Sequence, residues 1–108
     1  MKYLLLICVD PQIAVAAEEA SPEAWFEEVT RRGAWQEGHV LAAPTDATTV
    51  RVRGGAVQLT DGPFAETKEL LAGFDILECA DLDEAVALAQ QHPVAKFGAV
   101  EVRAFAEQ

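Results

Sequence analysis

A chain of 108 residues with 51 % hydrophobic content carries enough apolar side chain for one domain around one core. Lys and Arg total 8 against 18 acids, and the net charge of −10 opposes nucleic-acid phosphates and offers no basic patch to an anionic lipid surface. No apolar run approaches the roughly 18 residues of a membrane span.

Residues 1–9 (MKYLLLICV) read as a strand, rich in β-formers and stopped hard by Asp10-Pro11. Its apolar residues do not alternate, so both faces need cover. Lys2, the apolar run and Ala14-Val15-Ala16 imitate a secretory signal. Asp10-Pro11 cuts that run short, and the expectation is a cytoplasmic protein whose first strand stays in the fold. Cys8 and Cys79 form no C-x-x-C and read as buried free thiols of a reducing compartment.

Residues 10–20 read as a loop or short turn. Ser21-Pro22-Glu23 opens a helix with a hydroxyl cap, a proline at its first position and an acid in its first turn. Trp25, Phe26, Val29 and Gly33 fall on its inner face, Glu27, Glu28 and Arg31 point away, and Gly38 supplies a stop. Residues 39–43 make a short strand before a turn at 44–47.

Val50 and Val52 then alternate with Arg51 and Arg53, and Val57 and Leu59 with Gln58 and Thr60, around Gly54-Gly55. A two-residue primed turn pairs Arg53 with Ala56, Val52 with Val57 and Val50 with Leu59, leaving one face apolar and the other polar. Asp61-Gly62-Pro63-Phe64 follows as a turn signal, and residues 67–71 are a helical turn or a strand lead-in. Residues 72–79 are a strand with Phe74 and Ile76 on one face and Asp75 and Leu77 on the other. Asp81, with Glu84 three on, caps a helix that turns Leu82, Ala85, Val86 and Ala89 inward and ends at His92-Pro93. Residues 99–105 close the chain as a strand, Val100, Val102 and Ala104 opposite Glu101 and Arg103.

This order predicts an α+β fold, a ferredoxin-like sandwich with an antiparallel sheet, two helices on one face and an elaborated central hairpin. Two helices cover only one sheet face. Leu77 and Phe105 are assigned to the other, and a second copy of the chain is the simplest cover.

The blocks TDGPFAETKE (60–69), GFDILECADLDEA (73–85) and VEVR (100–103), the hairpin and the opening MKYLLLI resemble the YCII-related family, specifically its DGPF-motif branch. The resemblance spans residues 1–108 as one domain. It implies homodimers of the dimeric α+β barrel type, with sheets meeting face to face. It also implies either acid/base chemistry by a His–Asp pair, with the histidine on the first helix, or sigma-factor-linked regulation of transcription. No histidine lies between Pro22 and Glu37.

No Ser/His/Asp set, phosphate loop or metal-ligand spacing is present, so neither metal nor cofactor is expected. Asp61 is an acid/base candidate or the acid of an Asx turn, and could retain the family's acid. His39 is the candidate base if the chain turns inward after the first helix, while His92 sits at a helix end that favours positive charge. Arg51 and Arg103 could hold a carboxylate or pair with neighbours such as Glu101. Glu66 and Lys68 make a polar pocket or a solvated pair, Phe64 offers a ring to a ligand, and Tyr3 lines a pocket or packs the sheet. Two roles follow. One is a non-catalytic dimer that binds a small anionic ligand or serves a regulatory partner. The other is a cofactor-free lyase or isomerase using Asp61.

Overall fold

A computed structural model describes residues 1–64 and 68–106. The elements are β1 (Lys2–Val9), α1 (Ala17–Ala20), α2 (Glu23–Arg31), β2 (Trp35–Val40), β3 (Thr48–Arg53), β4 (Ala56–Asp61), β5 (Leu70–Glu78), α3 (Leu82–Gln90) and β6 (Ala99–Ala104). Short 3₁₀ turns at Pro44–Asp46 and Pro93–Lys96 complete them. The main sheet is antiparallel in the order β2-β5-β1-β6, the ferredoxin-like arrangement, and β3-β4 forms a separate two-stranded ribbon.

Register decides which side chains meet the helices. Tyr3 pairs with Leu77, Leu5 with Asp75 and Ile7 with Gly73, so these share a face. Tyr3, Leu5, Ile7 and Leu77 join Trp25 and Val29 of α2 and Ala85, Leu88 and Ala89 of α3 in one buried cluster. At about 25 cal/mol per Å² of apolar area, each such Leu or Val contributes roughly 1.5–3 kcal/mol.

The opposite face carries Leu4, Leu6, Cys8, Phe74 and Ile76, all half-buried, flanked by Glu101 and Arg103 on β6 and by Glu37 and His39 on β2. One sheet and one helix layer give a molecule only 18 Å thick in its shortest dimension. The expected uncovered face is therefore present, with a different membership. Leu77 is fully buried on the helix side, and Phe74 and Ile76 take the open one. The strand is apolar in both phases, so alternation alone carried no information about which phase meets the helices.

Other expectations shift. The first long helix begins at Glu23 with Pro22, not Ser21, at its N-cap and no side-chain cap bond. The first long helix ends at Arg31, and Gly33 (φ 72°) is its stop. Gly38 lies inside β2, which runs 35–40 rather than 39–43. In α3, Leu82 and Val86 are exposed and Leu88 fills the core in their place, while Asp81 accepts from the Glu84 amide as the expected cap and the Glu84 carboxylate accepts from the Ala80 amide, one residue before the cap position of a capping box.

The ribbon has the expected register, Arg53 to Ala56, Val52 to Val57 and Val50 to Leu59. Gly54 and Gly55 sit at φ 57° and 79°, the signs a primed turn demands. Its apolar stripe of Val50, Val52, Val57 and Leu59 is exposed.

Candidate functional site

The Asp61–Phe64 turn is fastened to the start of the ribbon. The Gly62 amide donates to Ala47 O at 2.7 Å, Thr49 Oγ1 to Gly62 O at 2.8 Å, and Arg51 to Phe64 O at 3.2 Å. Thr49 and Arg51 occupy the ribbon face opposite the Val50 stripe, so strand alternation itself aims both donors at the turn. Gly62 at φ 94° lets the chain bend there. Asp61 is exposed, and no hydrogen bond to its carboxylate occurs among the described residues. The expected Asx cap is replaced by Thr49 and Arg51.

The turn sets Pro63 and Phe64 against Leu41, Pro44, Leu70 and Leu71, around a hollow of about 340 Å³. Its wall is overwhelmingly apolar, and Asp46 is the only charged residue among the described residues lining it. Phe64, 80 % exposed, offers nearly a whole ring to an incoming molecule.

The remaining candidates do not gather there. Tyr3 is buried in the core under the helices, its hydroxyl near Met1 Sδ, and burial raises its pKa. Arg103 reaches Glu101 at 3.6 Å on the open face. His39 stands on the open face of β2 with its ring 5.7 Å from that of Phe74. Glu66 lies outside the described residues. His92 differs most from the charged helix end expected of it. It is 4 % exposed, and Nδ1 accepts from the Val94 amide at 3.1 Å. Its ring meets Trp25 edge to face at 4.7 Å, and burial pulls its pKa down to about 4, so it is a neutral packing residue.

Two carboxylates missed in the sequence prove more unusual than Asp61. Asp10, at the end of β1, is 5 % exposed. Oδ1 accepts from the Gln12 amide at 2.9 Å, whereas Oδ2 is buried without a hydrogen bond, 3.8 Å from Lys68 Nζ. Its place before a proline resembled a simple strand stop, and the Lys68 that approaches it is remote in sequence. Asp75 is half-buried on the helix side of β5, accepts from Trp35 Nε1 at 3.1 Å, and has its pKa raised by burial. By register His39 and Asp75 start from opposite faces of the sheet, and both line the concavity at its β2 edge.

A ferredoxin-like sheet with an open second face and a hollow beside the Pro63-Phe64 turn defines a small α+β protein. The chain belongs to the YCII-related domain family, whose model matches residues 1–107. A protein of Rhizobium meliloti, itself described only as uncharacterised, is 50 % identical over 50 residues; the match takes in 46 % of this chain and 40 % of that protein. Among solved structures, 5-chloro-2-hydroxyhydroquinone dehydrochlorinase from Burkholderia phenoliruptrix, in complex with 2,5-dihydroxybenzoquinone, superposes with a TM-score of 0.56. That likeness covers 100 % of this chain and 96 % of the other at 17 % identity, and it establishes the fold.

Proposed function

We propose that this protein is a homodimer that binds a small, ring-sized, uncharged organic ligand in the hollow beside Phe64. The observation that carries the reading is the hollow itself. About 340 Å³ lies within the usual size of a small-molecule site, an aromatic ring and two prolines wall it, and Asp46 can orient one hydroxyl. An anionic ligand has less support. Arg51 spends a guanidinium N–H on Phe64 O, Arg103 pairs with Glu101, and Asp46 would repel an anion. The structural neighbour's own ligand, 2,5-dihydroxybenzoquinone, matches in ring size but is a vinylogous acid that ionises at neutral pH. Dimerisation through Leu4, Leu6, Phe74 and Ile76 would remove the open face from water. Of the roles drawn from the sequence, ligand binding is the one with a cavity behind it; sigma-factor-linked regulation rests on the resemblance alone.

A second reading, cofactor-free proton transfer by a lyase or isomerase, is favoured by Asp10 rather than Asp61. The Asp10 Oδ2 is buried with no hydrogen bond among the described residues and lies 3.8 Å from Lys68 Nζ, which leaves that oxygen's acceptor capacity unused.

Thermal-shift and calorimetric titration with p-cresol and with benzoate tests the first reading. It expects p-cresol to raise the melting temperature and bind, benzoate to do neither, and Phe64→Ala to weaken p-cresol about tenfold through the lost ring contact. Equal binding of benzoate, or indifference to Phe64→Ala, refutes it.

A further inference from the structure

Along β2 the chain makes a second concavity of about 330 Å³, lined by Phe26, Trp35, Gly38, His39, Val40, Phe74 and Asp75. The Phe26 and Trp35 rings meet edge to face at 4.8 Å, so α2 and β2 together supply a rigid aromatic wall. Asp75 reaches this wall from β5. Its Oδ1 is fixed by Trp35 Nε1 at 3.1 Å, and no further hydrogen bond to its carboxylate occurs among the described residues. Gly38 is what makes the space. A Cβ at that position would collide with Asp75 Oδ1 and lie 2.9 Å from Phe74 O. A β-bulge between Trp35 and Glu37 brings Trp35 onto the same face as Asp75.

We propose that this concavity is a binding site for an organic ammonium group, with Asp75 as counter-ion and the Phe26–Trp35 pair as the aromatic seat. A half-buried carboxylate has lost part of its hydration and holds a single indole donor in exchange. Burial works against its charge, and a cation brought alongside reverses that cost. Aromatic rings next to an acid favour ammonium over a neutral hydroxyl, because the ring quadrupole and the carboxylate both attract positive charge. Asp75 is the only acid among the described lining residues, with His39 the one imidazole beside it, and a net charge of −10 raises the local concentration of small cations around the whole molecule. The volume suits a benzylamine-sized body or the end of a lysine side chain. This site is separate from the Phe64 hollow and does not depend on what fills it.

The test compares benzylammonium with benzyl alcohol, a neutral analogue of the same shape, by NMR titration of the Trp35 indole N–H and by calorimetry on the full chain at neutral pH. Nα-acetyl-lysine amide serves as a third probe, and its strength relative to benzylammonium separates a protein-borne from a free amine. The expected result is binding of the amine at least about tenfold tighter than the alcohol, with the Trp35 indole resonance displaced. Asp75→Asn should erase the preference, and Asp61→Asn, outside the site, should leave it intact. Equal binding of alcohol and amine, a preference that survives Asp75→Asn, or an unmoved Trp35 resonance at millimolar amine overturns the proposal. Should Asp75→Asn fail to fold, the amine–alcohol comparison and the Trp35 resonance in the unmutated chain decide it.

Discussion

His92 gives the sharpest energetic prediction, because its titration and its packing are the same fact. The imidazole joins α3 to the 3₁₀ turn after it: Nδ1 accepts from the Val94 amide at 3.1 Å, which requires the neutral ring with its proton on Nε2. Trp25, seated edge to face on that ring, anchors its own Nε1 to Leu88 O at 2.8 Å, tying α2 to α3. Protonation would put a charge at a 4 % exposed position and destroy the acceptor. In the unfolded chain the ring takes up its proton near 6.5, and in the folded one only near about 4. Between those values the unfolded state binds more protons. Stability is therefore fully present above pH 6.5 and is lost as pH falls toward 4. The full shift corresponds to about 3 kcal/mol, an order-of-magnitude figure, with a slope of at most roughly 1.4 kcal/mol per pH unit.

Urea unfolding at half-unit steps from pH 7 to pH 4.5 measures it. Asn at position 92 can cap the Val94 amide through its side-chain oxygen but does not titrate, so His92→Asn should lower stability by a constant and flatten the slope. Two acids carry their own pH dependence, which the comparison of the two proteins cancels. The Glu28 carboxylate, held down to about 2 by hydrogen bonds from Arg31 and Arg32, loses its contribution at lower pH. Asp75, raised by burial, acts in the opposite sense. Parallel profiles for the two proteins, or an imidazole pKa near 6.5 by NMR, would refute the argument.

Two further outcomes follow from the sheet and the ribbon. Ile76→Asp puts a charge on the open face beside Leu4, and the dimer should dissociate in sedimentation at micromolar concentration; Leu77→Ala, on the helix side, should instead cost about 2–5 kcal/mol of stability. A monomeric parent chain, or an unchanged mass for Ile76→Asp, removes the face-to-face reading. Gly55→Val forces a β-branched residue to φ 79°, at a cost of about 1–3 kcal/mol confined to the ribbon. Faster amide exchange at Arg51 and Gln58 with an unaltered core is the expected signature, and unchanged exchange would contradict it.

The parts of the fold that were legible are those where a local pattern has one solution. Alternating Val and Arg about Gly-Gly admit a single ribbon register, and Asp81 with Glu84 admits a single helix start. Legibility failed where two phases were equally apolar. In β5, Phe74/Ile76 and Asp75/Leu77 are both plausible inward sets, and the choice is made by Tyr3 and Leu5 across the strand pair. The two glycines after α2 failed for a related reason. Gly33 and Gly38 look alike as helix stops, yet one is needed for its positive φ and the other for the room it leaves Asp75. The site was less legible still. Asp10, Asp75 and His92 acquire their character from Lys68, Trp35 and Trp25, each far away in sequence, whereas Asp61 drew attention through its neighbours in the chain and is an exposed residue of a turn held by others.

Both hollows adjoin β2, and the strand's position explains why they form there. β1 and β5 are each paired on two sides and hold the buried cluster, so they tolerate little change of shape. β2 is paired on one side only, is interrupted by its bulge, and has no fully buried residue. An edge strand of that kind contributes little to the core and can open or reshape at small energetic expense. A ligand bound at this edge would stabilise the fold by an amount set by its concentration relative to its affinity. The two candidate sites share this edge: the Asp75 concavity lies along Trp35–Val40 and the Phe64 hollow follows directly from Leu41.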